Sequence, residues 1–473
     1  MIIKNRDGLL SHGNIEGRKT ALDVLEYAIE LIDAYGLVRN LIYREGNLLK
    51  VGFLNYDLRT VSNIYVLGGG KAVLQMAEAL DGILGDKIKK GIVVEKRLNG
   101  MAKGFERISR IKRIKVLQGN HPVPDDVAVA GAAEILAIAQ NAGMGDLVFF
   151  CVQGGCTCLT TLPADGLTLE DIQKTTELLL NSGLEIRIIN TVRTAMTKLS
   201  QGRLAKYIHP AEIINLVVND FVWAYPEGWH QGGYDLGWGP SVPVPDSRRL
   251  AFENSIFDLK KHPFWKEMPK NVKKHLENCS TDQLPQTVKD FERNGIDYHT
   301  FVLANPEDVA EAAKEGADRI NLHSMILSSV IEGEASEIGI AFAGIAKEIV
   351  KKGRPLKPPC AIIASGEKTV SIIGEHGEGG RNQEAVLSAA LKIDGGHEIV
   401  ILSVGTDGTD GPSYIAGGIV DGYTVERAKA KGIGISDCLK VHDSSRALKG
   451  LGDAIFFDEP GNNVCDLSLI VVS

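Results

Sequence analysis

Two polar, glycine-rich segments in the C-terminal third of the chain combine residue types that bind small anions. The first is Gly379-Gly380-Arg381-Asn382-Gln383-Glu384, and the second runs from Gly405 through Thr406 and Asp407 to Pro412. Glycine lets backbone N–H groups approach an anion closely, and the arginine guanidinium offers a forked set of donors to phosphate or carboxylate. Each segment follows an apolar run, as the loops of βα units do. Together they predict a site for a small anionic substrate.

Three side chains in these segments are candidate ligands. Arg381 opens a predicted helix, where a cation is unfavourable by roughly 0.3–1 kcal/mol, and a bound phosphate would explain its position. Asp407 and Asp410 offer oxygen atoms suited to Mg²⁺, which proteins usually hold with one or two carboxylates and the phosphates of a substrate. The alternative, that these aspartates only stabilise a turn, stays open for at least one of them.

A third glycine-rich turn, Gly68-Gly69-Gly70-Lys71, joins an apolar run to a helical pattern. It matches neither the Walker loop nor the dinucleotide fingerprint, because the spacing around Gly-Lys differs and Val73 stands where the third glycine is needed. A bound anion would explain a lysine at a helix N-terminus, and a tight turn with a solvated lysine explains it equally well. A similar turn, Gly154-Gly155, follows the apolar run at 147–152.

Apolar runs alternate with helical patterns of ten or more residues along most of the chain, which predicts an α/β fold with parallel sheets. Asp220 directly follows the apolar run at 213–218. Ligands in such folds bind at the carboxyl ends of the strands, although a capping role for Asp220 is equally open. The segment from Trp223 to Trp238 is rich in glycine and predicts a long functional loop.

Composition excludes several classes of protein. The 473 residues are too many for one ordinary core and predict two domains. A net charge of −8 without a long basic run argues against nucleic acid as a partner. No apolar stretch has the length of a membrane-spanning helix or the form of a signal peptide. The seven scattered cysteines are typical of a reducing cytoplasm.

The order and spacing of the motifs resemble the glycerate 2-kinase family, whose members join an N-terminal glycerate-kinase domain to a C-terminal MOFRL domain. The resemblance covers nearly the whole chain. The segments that carry it are Gly68 to Ala72, Gly119 to Pro124, Gly202 to Ala205, Gly239-Pro240, Gly333 to Ala335, Gly366-Glu367, Gly379 to Glu384 and Thr406 to Pro412.

The resemblance implies ATP-dependent phosphorylation of D-glycerate, a small hydroxy acid, at its 2-hydroxyl with Mg²⁺. Together with the composition, the resemblance leads us to expect a cytoplasmic enzyme without nucleic-acid or membrane partners, and a homodimer stays open. It also implies two α/β domains, each a largely parallel sheet flanked by helices, with the active site in the interdomain cleft. The expected boundaries are 1–255 for a Rossmann-like N-terminal domain, 256–300 for a connection and 301–473 for the MOFRL-type domain, whose last strand is a candidate to return to the N-terminal domain.

Carried over by position, the resemblance makes Lys71, Arg381 and Asp220 the catalytic residues. Lys71 and Arg381 would contact the transferring phosphoryl group and the glycerate carboxylate, and Asp220 would orient the hydroxyl as the base. Phosphoryl transfer depends mostly on such positioning and charge neutralisation. Asp407 and Asp410 are the expected metal ligands. The other expected substrate- and nucleotide-binding residues are Gly68, Gly69, Gly70, Gly154, Gly155, Glu367, Gly379, Gly380, Asn382, Glu384 and Thr406.

The chain departs from the family pattern mainly in its N-terminal half. The run from Val152 to Cys156 stands where the family has Ser-Gly-Gly-Gly-Ser, and Thr194-Ala195-Met196-Thr197 replaces Lys-His-Leu-Ser, which removes a cation and an imidazole. Losing such groups changes which substrate a site accepts. Two alternatives therefore stay open: a kinase for another hydroxy or sugar acid, and a silent paralogue that binds a metabolite or a protein. A hydroxypyruvate reductase is disfavoured, because no glycine loop carries the dinucleotide fingerprint.

Overall fold

The computed structural model describes residues 2–97, 111–180, 182, 184, 186–220, 239–278, 283–372, 374–457 and 461–473. The predicted loop from Trp223 to Trp238 lies outside the described residues. No helix within the described ranges is both long and apolar enough to cross a membrane.

The helices are α1 (Arg6–Leu9), α2 (Ile15–Leu31), α3 (Ala34–Leu41), α4 (Val73–Leu84), α5 (Asp126–Ala139), α6 (Cys156–Leu159), α7 (Leu169–Leu180), α8 (Ile186–Ala195), α9 (Ala205–Ile208), α10 (Asp246–Leu259), α11 (Lys270–Glu277), α12 (Val288–Arg293), α13 (Pro306–Arg319), α14 (Ala335–Lys352), α15 (Arg381–Lys392), α16 (Thr424–Ala430), α17 (Ile435–Lys440) and α18 (Ser444–Leu451). The strands are β1 (Ile42–Glu45), β2 (Leu48–Val51), β3 (Leu54–Asp57), β4 (Ile64–Gly70), β5 (Ile88–Lys96), β6 (Ile114–Gly119), β7 (Leu147–Val152), β8 (Glu212–Val218), β9 (Tyr298–Ala304), β10 (His323–Glu334), β11 (Cys360–Thr369), β12 (Ile399–Gly405), β13 (Gly417–Asp421), β14 (Ala454–Ile455) and β15 (Asp466–Val472).

The chain forms two compact units, and neither is one continuous stretch of sequence. The parallel-sheet unit comprises the described residues of 34–219 and 239–303, and the mixed-sheet unit comprises those of 2–33, Asp220 and 304–473. The amino-terminal helix α2 therefore packs with the C-terminal half. Its buried Arg18 pairs with two buried carboxylates of that half, Asp421 and Asp453, and these ion pairs hold the two distant parts of the sequence in one unit.

The parallel-sheet unit contains a six-stranded sheet in the order β6-β5-β4-β7-β8-β9. The pairs from β6 through β8 are all parallel. Every residue of β7 is buried, as expected for a central strand covered on both faces. The predicted α/β class and parallel sheet are confirmed here. The strand order reverses between β4 and β7, and ligands of doubly wound folds bind at the carboxyl ends of the strands at such a point.

The mixed-sheet unit contains a six-stranded sheet in the order β10-β11-β15-β12-β13-β14. Only β10 and β11 pair in parallel, and the other neighbours are antiparallel. The prediction of a largely parallel second sheet is therefore wrong. Strands β11 and β12 do run in the same direction, with α15 between them in the sequence, but β15 lies antiparallel between them. The last strand thus pairs inside this sheet rather than returning to the N-terminal domain.

Candidate functional site

Arg381 is the first residue of α15 and lies between two carboxylates. Its Nε donates to both carboxylate oxygens of Asp466 at 3.0 Å, and its Nη1 donates to Oε1 of Glu367 at 2.9 Å. Among the described residues, its second terminal nitrogen, Nη2, donates to none. The side chain is therefore held in one orientation, with a nitrogen left to bind an anionic oxygen. We call Arg381, Glu367, Asp466 and Asp220 the arginine group.

The antiparallel insertion of β15 explains why Asp466 belongs to this group. Asp466 is the first residue of β15 and lies in register with Gly366 near the end of β11 and Gly405 at the end of β12. If β15 ran parallel to β11 and β12, its first residue would lie beside their amino-terminal ends instead. The reversed strand places the buried Asp466 carboxylate beside Arg381, where it also accepts from the Asn382 amide at 2.8 Å.

The arginine group is a partly neutralised set of charges around one buried carboxylate, that of Asp466. Burial would lower the pKa of Arg381, but the carboxylates of Asp466, Glu367 and Asp410 outweigh it and hold that pKa well above the ordinary value. Burial would raise the pKa of Asp466, and the cations Arg381 and Lys368 lower it instead. Lys368 Nζ lies 3.2 Å from Oδ2 of Asp466. Asp466 is therefore ionised at neutral pH.

Asp220, the predicted base, is close to this group. Its Oδ2 accepts from the Asn463 amide at 2.9 Å, and its backbone oxygen accepts from the Cys465 thiol at 2.9 Å. Burial raises the pKa of the Cys465 thiol well above its usual range, and Glu367, Asp220 and Asp466 raise it further. Arg381 acts in the opposite direction, so all four members of the arginine group lie close enough to the Cys465 thiol to influence its pKa. The structure brings together two of the three predicted catalytic residues, Arg381 and Asp220.

The predicted metal ligand Asp410 is buried against the start of α15. Its carboxylate accepts from the backbone N–H groups of Asn382 (3.1 Å) and Gln383 (2.9 Å), and also from both of their side-chain amides. Burial, and then the charge of Asp466, raise its pKa. A side-chain carbon added at Gly380 would lie 2.3 Å from the Asp410 carboxylate carbon. Because Gly380 has no side chain, the loop before α15 can lie against the loop that carries Asp410.

Other predicted ligands of this unit also contact protein atoms. Oδ1 of Asp407 accepts from the backbone N–H of Thr409 at 3.0 Å. The hydroxyl of the buried Thr406 donates to the Cys465 carbonyl at 2.8 Å. Glu384 is buried and lies 2.8 Å from the His442 ring. A side-chain carbon added at Gly379 would lie 2.4 Å from the Ser444 hydroxyl. These residues support the loops around Arg381, and their role in ligand binding stays a prediction.

In the parallel-sheet unit, the predicted Lys71 follows β4 at the point where the strand order reverses. Its backbone N–H donates to the Gly154 carbonyl at 2.9 Å, which ties the two glycine turns together. Neighbouring atoms leave no room for a side chain at the three glycines that precede Lys71. Added side-chain carbons would lie 2.6 Å from the Cys151 carbonyl at Gly68, 2.4 Å from Thr160 at Gly69 and 2.5 Å from Gln153 at Gly70. These glycines bring strands and loops close together rather than forming an open phosphate cradle.

A second turn brings His121 to Lys71. Gly155 has a φ of +83°, and a side-chain carbon added there would lie 2.9 Å from the His121 ring and 3.4 Å from Cγ of Lys71. Arg193, in α8, donates from Nη2 to the Pro122 carbonyl at 3.0 Å. Burial lowers the pKa of His121 well below 6.5, and the positive charges of Lys71, Arg193 and Lys96 lower it further. We call Lys71, Lys96, Arg193 and His121 the lysine group.

One set of three metal-ligating side chains is present in the described part of the chain. Donor atoms of Glu212, Asp297 and His299 lie within 4.8 Å of one another. Neither Asp407 nor Asp410 belongs to it. The Tyr56 hydroxyl donates to Glu212, and His299 Nε2 lies 3.4 Å from Oε1 of the same carboxylate. Side chains of the protein thus already contact this carboxylate, and nothing in the structure relates the set to the predicted residues.

Sequence reasoning missed Asp466 in the arginine group and Arg193, Lys96 and His121 in the lysine group. One signal for Asp466 was available, because it is a single charged residue at the start of an otherwise apolar terminal strand. The signal for His121 was its place in the segment from Gly119 to Pro124. Arg193 had no signal of its own, since one arginine in an amphipathic helix is usually solvated.

Two family models match successive parts of the chain. The model described as "Domain of unknown function (DUF4147)" matches residues 20–277, and the MOFRL family model matches 360–466. A protein of Pyrococcus horikoshii named "Glycerate 2-kinase" is 35% identical over 456 residues, which is 96% of this chain and 97% of that protein. The chain belongs to the glycerate 2-kinase family.

A sequence and a crystal structure from Thermotoga maritima extend this similarity. The sequence, named "D-glycerate 2-kinase", is 34% identical over 451 residues, covering 95% of this chain and 97% of that protein. A crystal structure described as glycerate kinase has a TM-score of 0.73 and 31% identity, covering 96% of this chain and 99% of that one. The glycerate 2-kinase family resemblance noted in the sequence is thus confirmed over nearly the whole length.

Proposed function

We propose that this chain is a glycerate 2-kinase, which transfers the terminal phosphoryl group of ATP to the 2-hydroxyl of D-glycerate. The observation that carries the proposal is the similarity, over nearly the full length, to proteins named for this activity. The two charged groups support it, because a kinase must bind an anionic acceptor and neutralise a transferring phosphoryl group. A cytoplasmic location and a homodimer remain predictions from the sequence.

Arg381 is suited to the transferring phosphoryl group. Asp466 and Glu367 hold its guanidinium by three hydrogen bonds, so little conformational freedom is lost when Nη2 binds an oxygen. Asp220 is suited to the acceptor hydroxyl, since its bond to the Asn463 amide fixes the direction of its carboxylate. Lys71 would neutralise a second negative charge.

Mg²⁺ would be held mainly by the phosphates of ATP, with one protein carboxylate. Asp410 fits this role poorly, because each of its oxygens already accepts hydrogen bonds from the start of α15. Asp407 fits better, since it is only partly buried and lies in the loop that follows β12. When bound, the ion would supply charge neutralisation on the phosphate oxygens.

The fold also invites a test for a reductase. The strand order of the parallel sheet is that of dinucleotide-binding folds, although the turn after β4 lacks their glycine fingerprint. We would measure ADP release with Mg-ATP over a panel of hydroxy acids, and NADH or NADPH oxidation with hydroxypyruvate in parallel. Release of ADP that depends on D-glycerate supports the kinase. Nicotinamide oxidation without ADP release would replace it with the reductase, and ADP release only with another acid would change the substrate.

A further inference from the structure

We propose that Arg193 and His121 complete, with Lys71, the site that binds the carboxylate of the hydroxy-acid acceptor. The inference rests on the proposed function, because it concerns the acceptor of the same reaction. It assigns a role to two residues outside the catalytic set.

Side chains from three parts of the chain converge at this site. Lys71 follows β4, His121 follows β6 and Arg193 lies in α8. The left-handed Gly155 sits against both the His121 ring and the Lys71 side chain, and any larger residue there would meet them. Arg193 reaches the same turn through the Pro122 carbonyl. The strands involved present their carboxyl ends here, beside the point of reversal, where such folds bind ligands.

The electrostatic character of the site suits an anion. Burial and the positive charges of Lys71, Arg193 and Lys96 lower the pKa of His121 well below 6.5 and keep its imidazole neutral. A neutral ring in a cationic site can donate one hydrogen bond to a carboxylate oxygen while adding no further repulsion among the cations. The described carboxylates at this edge are Glu95, buried and in register with Gly70, and Asp125, which pairs with Arg97 at 2.8 Å.

The packing at the end of β4, just before Lys71, favours a carboxylate over a chain of phosphates as the ligand. Cys151, Thr160 and Gln153 occupy the space beside the three glycines at the end of β4. The backbone there therefore offers no open cradle for a polyphosphate. A forked guanidinium beside an amine and an imidazole suits one planar carboxylate. A phosphate group could bind to the same cations. Measuring KM separately for D-glycerate and for ATP distinguishes a carboxylate site from a phosphate site.

Arg193 also bears on one departure of the chain from the family pattern. Thr194 to Thr197 contains neither a cation nor an imidazole, and Arg193 places a cation one residue before this segment. The end of α8 thus keeps a positive charge, which favours a carboxylate-bearing acceptor.

The test compares Arg193→Gln, Arg193→Lys and His121→Asn with Lys198→Gln as the matched control. Lys198 follows the same helix but pairs with Asp165 at 3.1 Å, away from the lysine group. We would vary D-glycerate at saturating Mg-ATP and then vary ATP at saturating D-glycerate. Arg193→Gln should raise KM for D-glycerate at least about tenfold and leave KM for ATP within about twofold, since one charge-assisted hydrogen-bond pair is lost. Arg193→Lys should recover part of the loss, and His121→Asn should raise the same KM.

A rise in KM for ATP instead would overturn the assignment, and so would an unchanged KM for D-glycerate in Arg193→Gln. Isothermal titration calorimetry of D-glycerate into the full chain measures binding in the absence of turnover. If the wild type binds D-glycerate and Arg193→Gln does not, the inference stands even where no phosphoryl transfer is found and the proposed function fails. If the wild type does not bind D-glycerate, the inference is overturned.

Discussion

The replacement Asp410→Asn separates a structural role for Asp410 from a role in metal binding. The carboxylate accepts two backbone N–H groups and two side-chain amides at the start of α15. An asparagine keeps one acceptor oxygen but directs an NH₂ group at the other pair of donors. At least one buried backbone N–H is then left without a partner, which costs about 1–3 kcal/mol.

Part of that cost is offset. Burial and Asp466 raise the pKa of Asp410, so its ionised form is itself unfavourable, and a neutral side chain relieves the repulsion. We therefore expect a net loss of about 2 kcal/mol in the free energy of unfolding of the mixed-sheet unit. For a unit of roughly 200 residues, this corresponds to a fall in melting temperature of about 4–8 °C.

The assay is differential scanning calorimetry with Asp407→Asn as the control. Asp407 lies in the next turn and accepts from Thr409 through Oδ1, which an amide oxygen can replace. We expect Asp407→Asn to change the unfolding free energy by less than about 0.5 kcal/mol. If Asp410→Asn melts like the wild type while requiring far more Mg²⁺ for activity, Asp410 is a metal ligand and the structural reasoning is wrong.

Three further predictions follow from the two groups. Arg381→Ala should lower kcat at least about a hundredfold and destabilise the mixed-sheet unit by roughly 1–3 kcal/mol, because the buried Asp466 loses one of its two cationic partners and keeps Lys368. Adding Asp466→Asn should recover part of the loss in melting temperature but not kcat, and recovery of kcat as well would contradict the roles of Arg381 and Asp466. Lys71→Ala should lower kcat/KM by about a hundredfold, and near-normal turnover would remove Lys71 from the site. Because the folded-state pKa of His121 lies below the unfolded value near 6.5, the unfolded state binds more protons as the pH falls through this range. The stability of the wild type should then fall from pH 7 to pH 5 by up to about 1.4 kcal/mol per pH unit more than that of His121→Asn, as measured by urea unfolding, and parallel curves would contradict the lowered pKa.

The sequence predicted the class of the fold because hydrophobic periodicity is local. The run at 147–152 is β7, and the run at 213–218 lies within β8. The direction of a strand is not local information. Strands β11 and β12 are parallel to each other, as their shared pattern with α15 indicated, but the antiparallel placement of β15 between them depends on long-range pairing.

The same limit decided which site residues were found. Arg381 and Lys71 lie in glycine-rich loops, and a cation in such a loop is visible in one sequence. Asp466 reaches Arg381 only because β15 runs antiparallel, and a parallel sheet would have placed it at the far edge. Arg193 and His121 meet Lys71 through the packing of α8 and the turn after β6, which no spacing in the sequence encodes.

The central claim is that the chain phosphorylates D-glycerate at the 2-hydroxyl. The most direct measurement is ³¹P and ¹³C NMR of the product formed from Mg-ATP and ¹³C-labelled D-glycerate by the full chain, with Arg381→Ala as the inactive control. We expect one product, 2-phosphoglycerate, in which phosphorus couples to C2 through two bonds and to both C1 and C3 through three, and none from Arg381→Ala. Formation of 3-phosphoglycerate, or of no phosphorylated acid under conditions where D-glycerate binds, would contradict it.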